Sequence, residues 1–135
     1  MQSPSHKKII ITTDEAPAAI GPYSAGVSTN HLVFTAGQLG IDPETGELVS
    51  GGIRMETRQA LTNLQAVLEA AGSGLDLVIK TTVFLQDIND FGLMNEVYGK
   101  FFTEDFPARS AFQVGALPKG AAVEIEAVAL QSPDA

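Results

Sequence analysis

Few side chains in this sequence are equipped for polar chemistry, and their placement is uneven. Of its three arginines, Arg54 and Arg58 fall in a stretch with helical periodicity, while Arg109, in FPARSAF, stands at the mouth of a strand. A guanidinium presents a rigid fork of donors that matches a carboxylate in two parallel hydrogen bonds, so Arg109 is a candidate anchor for a small organic acid. The bland alternative is a solvated or salt-bridged arginine near a strand end, which contributes little. Glu124 and Glu126 are two apart in a strand and so share a face, set among Val123, Ile125 and Val128. Partial desolvation raises a carboxyl pKa toward the range where it takes and returns a proton near neutral pH, as a water-activating base must. An inter-subunit salt-bridge acceptor would need the same residue types.

Three weaker signals accompany these. IGPYSAG sets Pro22 and two glycines around Tyr23, a constrained loop that either holds the phenol over a pocket or packs it in a turn. FTAGQLG puts Gly37 inside a strand, where glycine commonly marks a bulge or a close backbone approach to a ligand. Asn95 carries an amide beside the stripe Phe91, Met94 and Tyr98, facing either a pocket or solvent.

Other chemistries are disfavoured. The sequence has no cysteine, hence no disulfide framework and no thiolate, and only His6 and His31, too few for a protein-built zinc site. No phosphate-cradling glycine loop, nucleotide fingerprint or nucleophile elbow is present, so no metal or organic cofactor is expected. Sixteen acidic against eight basic residues give a net charge of −8, which repels nucleic-acid backbones. The apolar run after Lys8 is far shorter than a signal-peptide core and nothing resembles a membrane span, so the expectation is a cytoplasmic protein.

The elements that must position these residues follow from periodicity. Lys8 to Thr12 and His31 to Leu39 read as strands, and DPETGE (42–47) as a surface turn. From Ile53 to Ala71, Ala60, Leu61, Leu64, Val67, Leu68 and Ala71 recur at helical spacing, with Gly72 as the C-terminal cap. A second helix is expected over 90–102, with Phe91, Met94, Tyr98 and Phe101 on one face and Asn89 or Asp90 capping its start. Leu77 to Leu85 and Ala122 to Leu130 are strands; in the first, Leu77, Ile79, Val83 and Leu85 share a side, and both strands carry apolar residues on both faces. At 135 residues the chain is expected to form one domain, 1–135. Two helices cover only one face of such a sheet, so the opposite apolar face calls for other copies of the chain.

Taken together, APAAIGPYSAG, FTAGQLGIDPETGEL, NLQAVLEAAG, KTTVFLQDINDF, NEVYGKFF, FPARSAF and VEIEAVA resemble the RidA/YjgF family in order and spacing over nearly the whole chain. The most specific part is PARS, followed by Phe112, Gly115 and Leu117 and then Val-Glu-Ile at 123–125. The resemblance implies an α+β, chorismate-mutase-like fold: a mixed six-stranded sheet backed by two helices, three sheets forming a barrel-like homotrimer core, and active sites at subunit clefts. It implies hydrolysis of reactive 2-imino acids, formed from the enamine products of pyridoxal-phosphate dehydratases, to 2-keto acids and ammonia. Arg109 would grip the substrate carboxylate, Glu124 activate water, and Tyr23 close and polarise the pocket. Gly37 and Ala111 would contribute backbone groups, with Phe91 and Asn95 lining or supporting the site. Relatives often carry a hydroxyl residue where this chain has Ala36 and a cysteine where it has Ala111. The second change leaves backbone contacts intact, whereas the first removes a hydrogen bond. Two other readings compete: a regulator that binds 2-keto acids without turnover, for which Arg109 alone would serve, and an endoribonuclease or translation inhibitor, which the acidic balance and lack of a histidine pair oppose.

Overall fold

The structure, a computed structural model, describes residues 7–133. In chain order it comprises strands β1 (Ile9–Ile11), β2 (Gly26–Ser28), β3 (Leu32–Thr35) and β4 (Gln38–Leu39), helix α1 (Gly52–Ala70), strand β5 (Val78–Leu85), helix α2 (Phe91–Phe101), and strands β6 (Ala108–Gln113) and β7 (Val123–Leu130). This is an α+β architecture with one mixed sheet. Its path is β1-β2-β3-β7-β5-β6, with β4 pairing β7 off that path. All pairs are antiparallel except β5 with β6, which run parallel because α2 is the crossover between them.

The count of seven strands departs from the expected six because the stretch from His31 to Leu39 is not continuous. It breaks at Ala36 and Gly37, and β4 resumes along the same flank of β7, pairing Gln38 with Ile125 and Leu39 with Glu124. The short β2, which begins at the Gly26 that ends the Tyr23 loop and was not expected from sequence, bridges β1 and β3.

Both helices cover one face. On α1, Ala60, Leu61, Leu64, Val67 and Leu68 are wholly buried, and with Met94 and Tyr98 of α2 they meet Val33, Val83, Ile125 and Ala129 of the sheet. Each such side chain is worth about 1.5–3 kcal/mol of burial, so this face supplies most of the apolar driving force. α1 closes as anticipated around Gly72, with the Ser73 N–H donating to the Leu68 carbonyl at 2.8 Å.

Two local readings need correction. α2 is entered through a 3₁₀ turn at Ile88–Asp90, so the capping bond moves upstream of Asn89 and Asp90: the Asp87 carboxylate accepts the Asn89 N–H at 2.9 Å, and Asp90 makes no side-chain cap. In β5 the register slips between Val78 and Lys80, which turns Ile79 outward and puts Val78, Thr81, Val83 and Leu85 on the core side.

The other face of the sheet is bare of α-helices among the described residues, and a small second cluster of Leu39, Ile41, Leu117 and Ala121, with Phe84 against it, covers one part of it. Phe34, Phe112 and Leu130 are exposed there, with Phe84 half-buried edge-on against Phe112. No helix of the described residues is long and apolar enough to cross a membrane.

Candidate active site

Arg109 sits on edge strand β6, opposite Thr81 of β5. Thr81 is buried on the helix side, so Arg109 points the same way and lies under α2. There the guanidinium is enclosed by aromatic faces, 4.7 Å from the Tyr98 ring centroid and 5.4 Å from that of Phe91. Its Nη1 donates to the Asn95 Oδ1 at 2.7 Å. Phe91, Asn95 and Tyr98 fall one helical turn apart, which is why one face of α2 supplies all three contacts. Burial pushes the Tyr98 phenol up, outweighing the Thr81 hydrogen bond and the Arg109 charge that pull it down. The ring under the cation therefore stays neutral, its hydroxyl bonded to the Thr81 Oγ1 at 2.7 Å. Arg109 has no carboxylate partner among the described residues; the ion pair found there joins Arg54 to Glu96. A held guanidinium with donors to spare has the chemistry of an anion receptor, and no salt bridge within the described residues occupies it.

Glu124 lies near the start of β7, opposite Phe84 on one side and Leu39 on the other. Its neighbours Val123 and Ile125 are wholly buried under the helices, so its carboxylate points to the bare face. It borders a cavity of about 250 Å³ walled by Ala18, Ala19, Ile20, Tyr23, Gly37, Leu39 and Ile41. Gly37 approaches it closely: a Cβ there would fall 2.5–2.8 Å from the Glu124 carboxyl end, so any side chain at 37 would displace it. Desolvation, reinforced by the negative charge of Glu126, holds the Glu124 pKa above the ordinary carboxylate value. Tyr23 folds its hydroxyl back to the Ile20 N–H at 3.3 Å and leaves its half-exposed ring on the cavity wall.

The two groups do not meet within one protomer. Thr81 and Phe84, which carry the registers of Arg109 and Glu124, are three apart in β5 and so face opposite sides of the sheet. Around Arg109 runs a separate groove of Asn95, Tyr98, Gly99, Phe102, Phe106 and Pro107, which shares no residue with the Glu124 cavity. Tyr23 and Gly37 therefore gather with Glu124, while Phe91 and Asn95 gather with Arg109. Ala111, two residues beyond Arg109 in β6, packs against the core cluster and borders neither cavity. Ala36 lies at the strand break, its N–H donating to the Ala25 carbonyl at 2.8 Å.

Sequence reasoning missed Tyr98 as the platform beneath Arg109; its i+3 spacing from Asn95 on an aromatic stripe was the available signal. It also missed Lys119, an exposed cation on the rim of the Glu124 cavity in a left-handed conformation (φ 59) uncommon for a lysine. Among the described residues there is no cluster of three metal-ligating side chains.

Residues 13–131 match the family model described as Endoribonuclease L-PSP. The chain is similar to the human 2-iminobutanoate/2-iminopropanoate deaminase, 53% identical over 124 residues that cover 92% of this chain and 90% of the human one. It superposes on the crystal structure of Escherichia coli TdcF with bound serine at a TM-score of 0.87 and 46% identity, covering 91% of this chain and 98% of that one. The match to the Escherichia coli YjgF gene product is equivalent, with TM-score 0.87, 45% identity and the same coverage.

Proposed function

Because the chain belongs to the RidA/YjgF family, we propose that it is a hydrolytic deaminase converting reactive 2-imino acids to 2-keto acids and ammonia. The observation that carries this reading is Glu124: a carboxylate in a cavity large enough for a small organic acid, with a pKa raised by burial. The anion receptor at Arg109 supplies the second requirement, a grip on the acid end.

In this mechanism Arg109 binds the substrate carboxylate and fixes the iminium carbon beside Glu124. Glu124 takes a proton from water as the water oxygen bonds to that carbon and the C=N π electrons move to nitrogen. The carbinolamine then receives the proton from Glu124 at nitrogen, its hydroxyl gives its own proton to the regenerated Glu124 carboxylate as the C–N bond breaks, and the departing ammonia takes that proton away as ammonium, leaving the keto acid. No electrons are exchanged with a co-reactant, and no group beyond these side chains and water enters the balance. Tyr23 lines the cavity over the reacting carbon, and the Gly37 backbone leaves room for the Glu124 carboxyl.

Since Arg109 and Glu124 face opposite sides of the sheet, the working site takes Arg109 from one copy and Glu124 from the next. A cyclic homotrimer that packs the bare faces together does this and covers Phe34, Phe112 and Leu130. We place the trimer in the cytoplasm, acting on imines released by pyridoxal-phosphate dehydratases. A purely sensing role would need the receptor at Arg109 but gives no reason for a carboxylate whose pKa is raised.

The test is a coupled assay in which a dehydratase generates the imine in situ and keto-acid formation is followed with and without this protein. Acceleration that Glu124→Gln abolishes is expected. Equal rates with and without the wild-type chain, across several imine side chains, would overturn the reading.

A further inference from the structure

We infer that helix α1 acts on the reaction at one remove, through Glu56 and Asn63 as positioning residues that hold two walls of the Glu124 cavity in register. The inference rests on the deaminase reading above. Both residues interrupt the apolar stripe of α1; seven positions apart, they lie on the same side of the helix. Asn63 is wholly buried and Glu56 nearly so.

The hydrogen-bonding capacity of Asn63 is spent on one short segment. Its Nδ2 donates to the Leu39 carbonyl at 3.1 Å and to the Ile41 carbonyl at 2.8 Å, and its Oδ1 accepts from the Gln59 Nε2 at 2.9 Å. Leu39 and Ile41 both wall the cavity. Gly40 between them is pressed onto the helix: a Cβ there would fall 2.6–2.9 Å from the Cα, carbonyl oxygen and Cβ of Glu56. β4 ends at Leu39; beyond it an isolated bridge from Ile41 to Leu48 and the Val49 N–H bond to the Gly40 carbonyl close a local hairpin, and Asn63 ties that hairpin to α1.

Glu56 reaches the opposite wall. Its Oε1 accepts the Ala122 N–H at 2.9 Å, immediately before β7 begins and two residues before Glu124. The catalytic carboxylate and the apolar wall facing it are thus both referenced to a single rigid helix. Burying a polar side chain costs free energy that a leucine would not incur, so at these positions the polar residues serve geometry rather than adhesion. Misplacing a reacting group by an ångström costs up to about a hundredfold in rate.

The experiment measures kcat and KM on imines with short and long side chains, alongside thermal melts and oligomeric state. The variants are Glu56→Gln, Glu56→Ala, Asn63→Leu and, as milder changes, Asn63→Ser and Glu56→Asp. Glu56→Gln keeps the acceptor oxygen and is expected within about twofold of wild type, whereas Glu56→Ala loses about tenfold or more in kcat with KM little changed. Asn63→Leu, matched in size but without donors, is expected to raise KM several-fold for long side chains and less for short ones. If Asn63→Leu or Glu56→Ala does not fold, Asn63→Ser and Glu56→Asp, whose shorter side chain draws the acceptor back from the Ala122 N–H, carry the test, each showing the loss of its harsher counterpart in weaker form. Folded Glu56→Ala and Asn63 variants with kcat and KM within twofold of wild type, or losses equal for every side chain and matched by Glu56→Gln, would overturn the inference. Absence of turnover by the wild-type chain would instead remove the deaminase reading, so the two failures are distinguishable.

Discussion

The Arg109 half of the site is held by side chains, the Glu124 half by backbone. Arg109 lies between Tyr98 and Phe91 with Asn95 bonded to its Nη1, and three positions on one face of α2 decide its direction. Glu124 accepts no hydrogen bond among the described residues; strand pairing aims it, and the nearness of Gly37 limits where its carboxylate goes. The difference follows from what each group must do. An anchor benefits from being fixed before substrate arrives, because less entropy is then lost on binding. A base must exchange protons, and strong donors to the carboxylate would lower its pKa and weaken it for that task.

Changes to the Glu124 carboxylate and its charge environment should therefore act on turnover, and changes to Arg109 and its supports on binding. The largest effect is expected for Glu124→Gln, a fall in kcat of about 10²–10⁴-fold with the fold retained. A carboxyl whose pKa is raised by folding weakens the folded state once pH climbs above that pKa. Glu124→Gln should accordingly melt slightly above wild type at neutral pH, the gain vanishing as pH falls below the ordinary carboxylate range. A lower melting temperature at neutral pH would contradict the burial-raised pKa.

Arg109→Ala comes next, with kcat/KM reduced by roughly a hundredfold through loss of the charge-assisted pair, mostly in KM, as steady-state kinetics would show. Asn95→Ala should cost about five- to tenfold in KM, since the guanidinium keeps its aromatic platform but loses its directional bond. An effect of Asn95→Ala confined to kcat would break the division between halves. The smallest change is expected for Glu126→Gln. The acid limb of the pH–rate profile, where Glu124 protonates and activity falls, should move to lower pH because a neighbouring negative charge is gone. A shift to higher pH would reverse the assigned cause.

Much of this was legible in the sequence at the level of single elements. The i, i+3, i+4 spacing of α1 marked its buried face, and the VEIE alternation of β7 put Glu124 and Glu126 on one side and Val123 and Ile125 on the other, without deciding which side the helices cover. What stayed hidden depended on register between distant strands. That Arg109 and Glu124 face opposite sides follows from the pairings Thr81–Arg109 and Phe84–Glu124, and the slip after Val78 that turns Ile79 outward has no local marker. The glycine at 37 signalled a bulge or close approach, but the Glu124 carboxyl that lies against it comes from a strand far along the chain. Nothing in the sequence singles out Glu56 and Asn63; their roles come from Ala122, Leu39 and Ile41, which the fold places against them.

The central claim is that one copy supplies the anchor and another the base. Its most direct test mixes the two impaired variants, Arg109→Ala and Glu124→Gln, by unfolding and refolding them together at equal concentration, and measures imine hydrolysis at substrate well below KM, where each alone is slow. A site shared between copies predicts that activity reappears, with about a quarter of sites intact if subunits assort at random. A mixture that forms oligomers of the wild-type size yet stays as inactive as either variant alone would contradict the account.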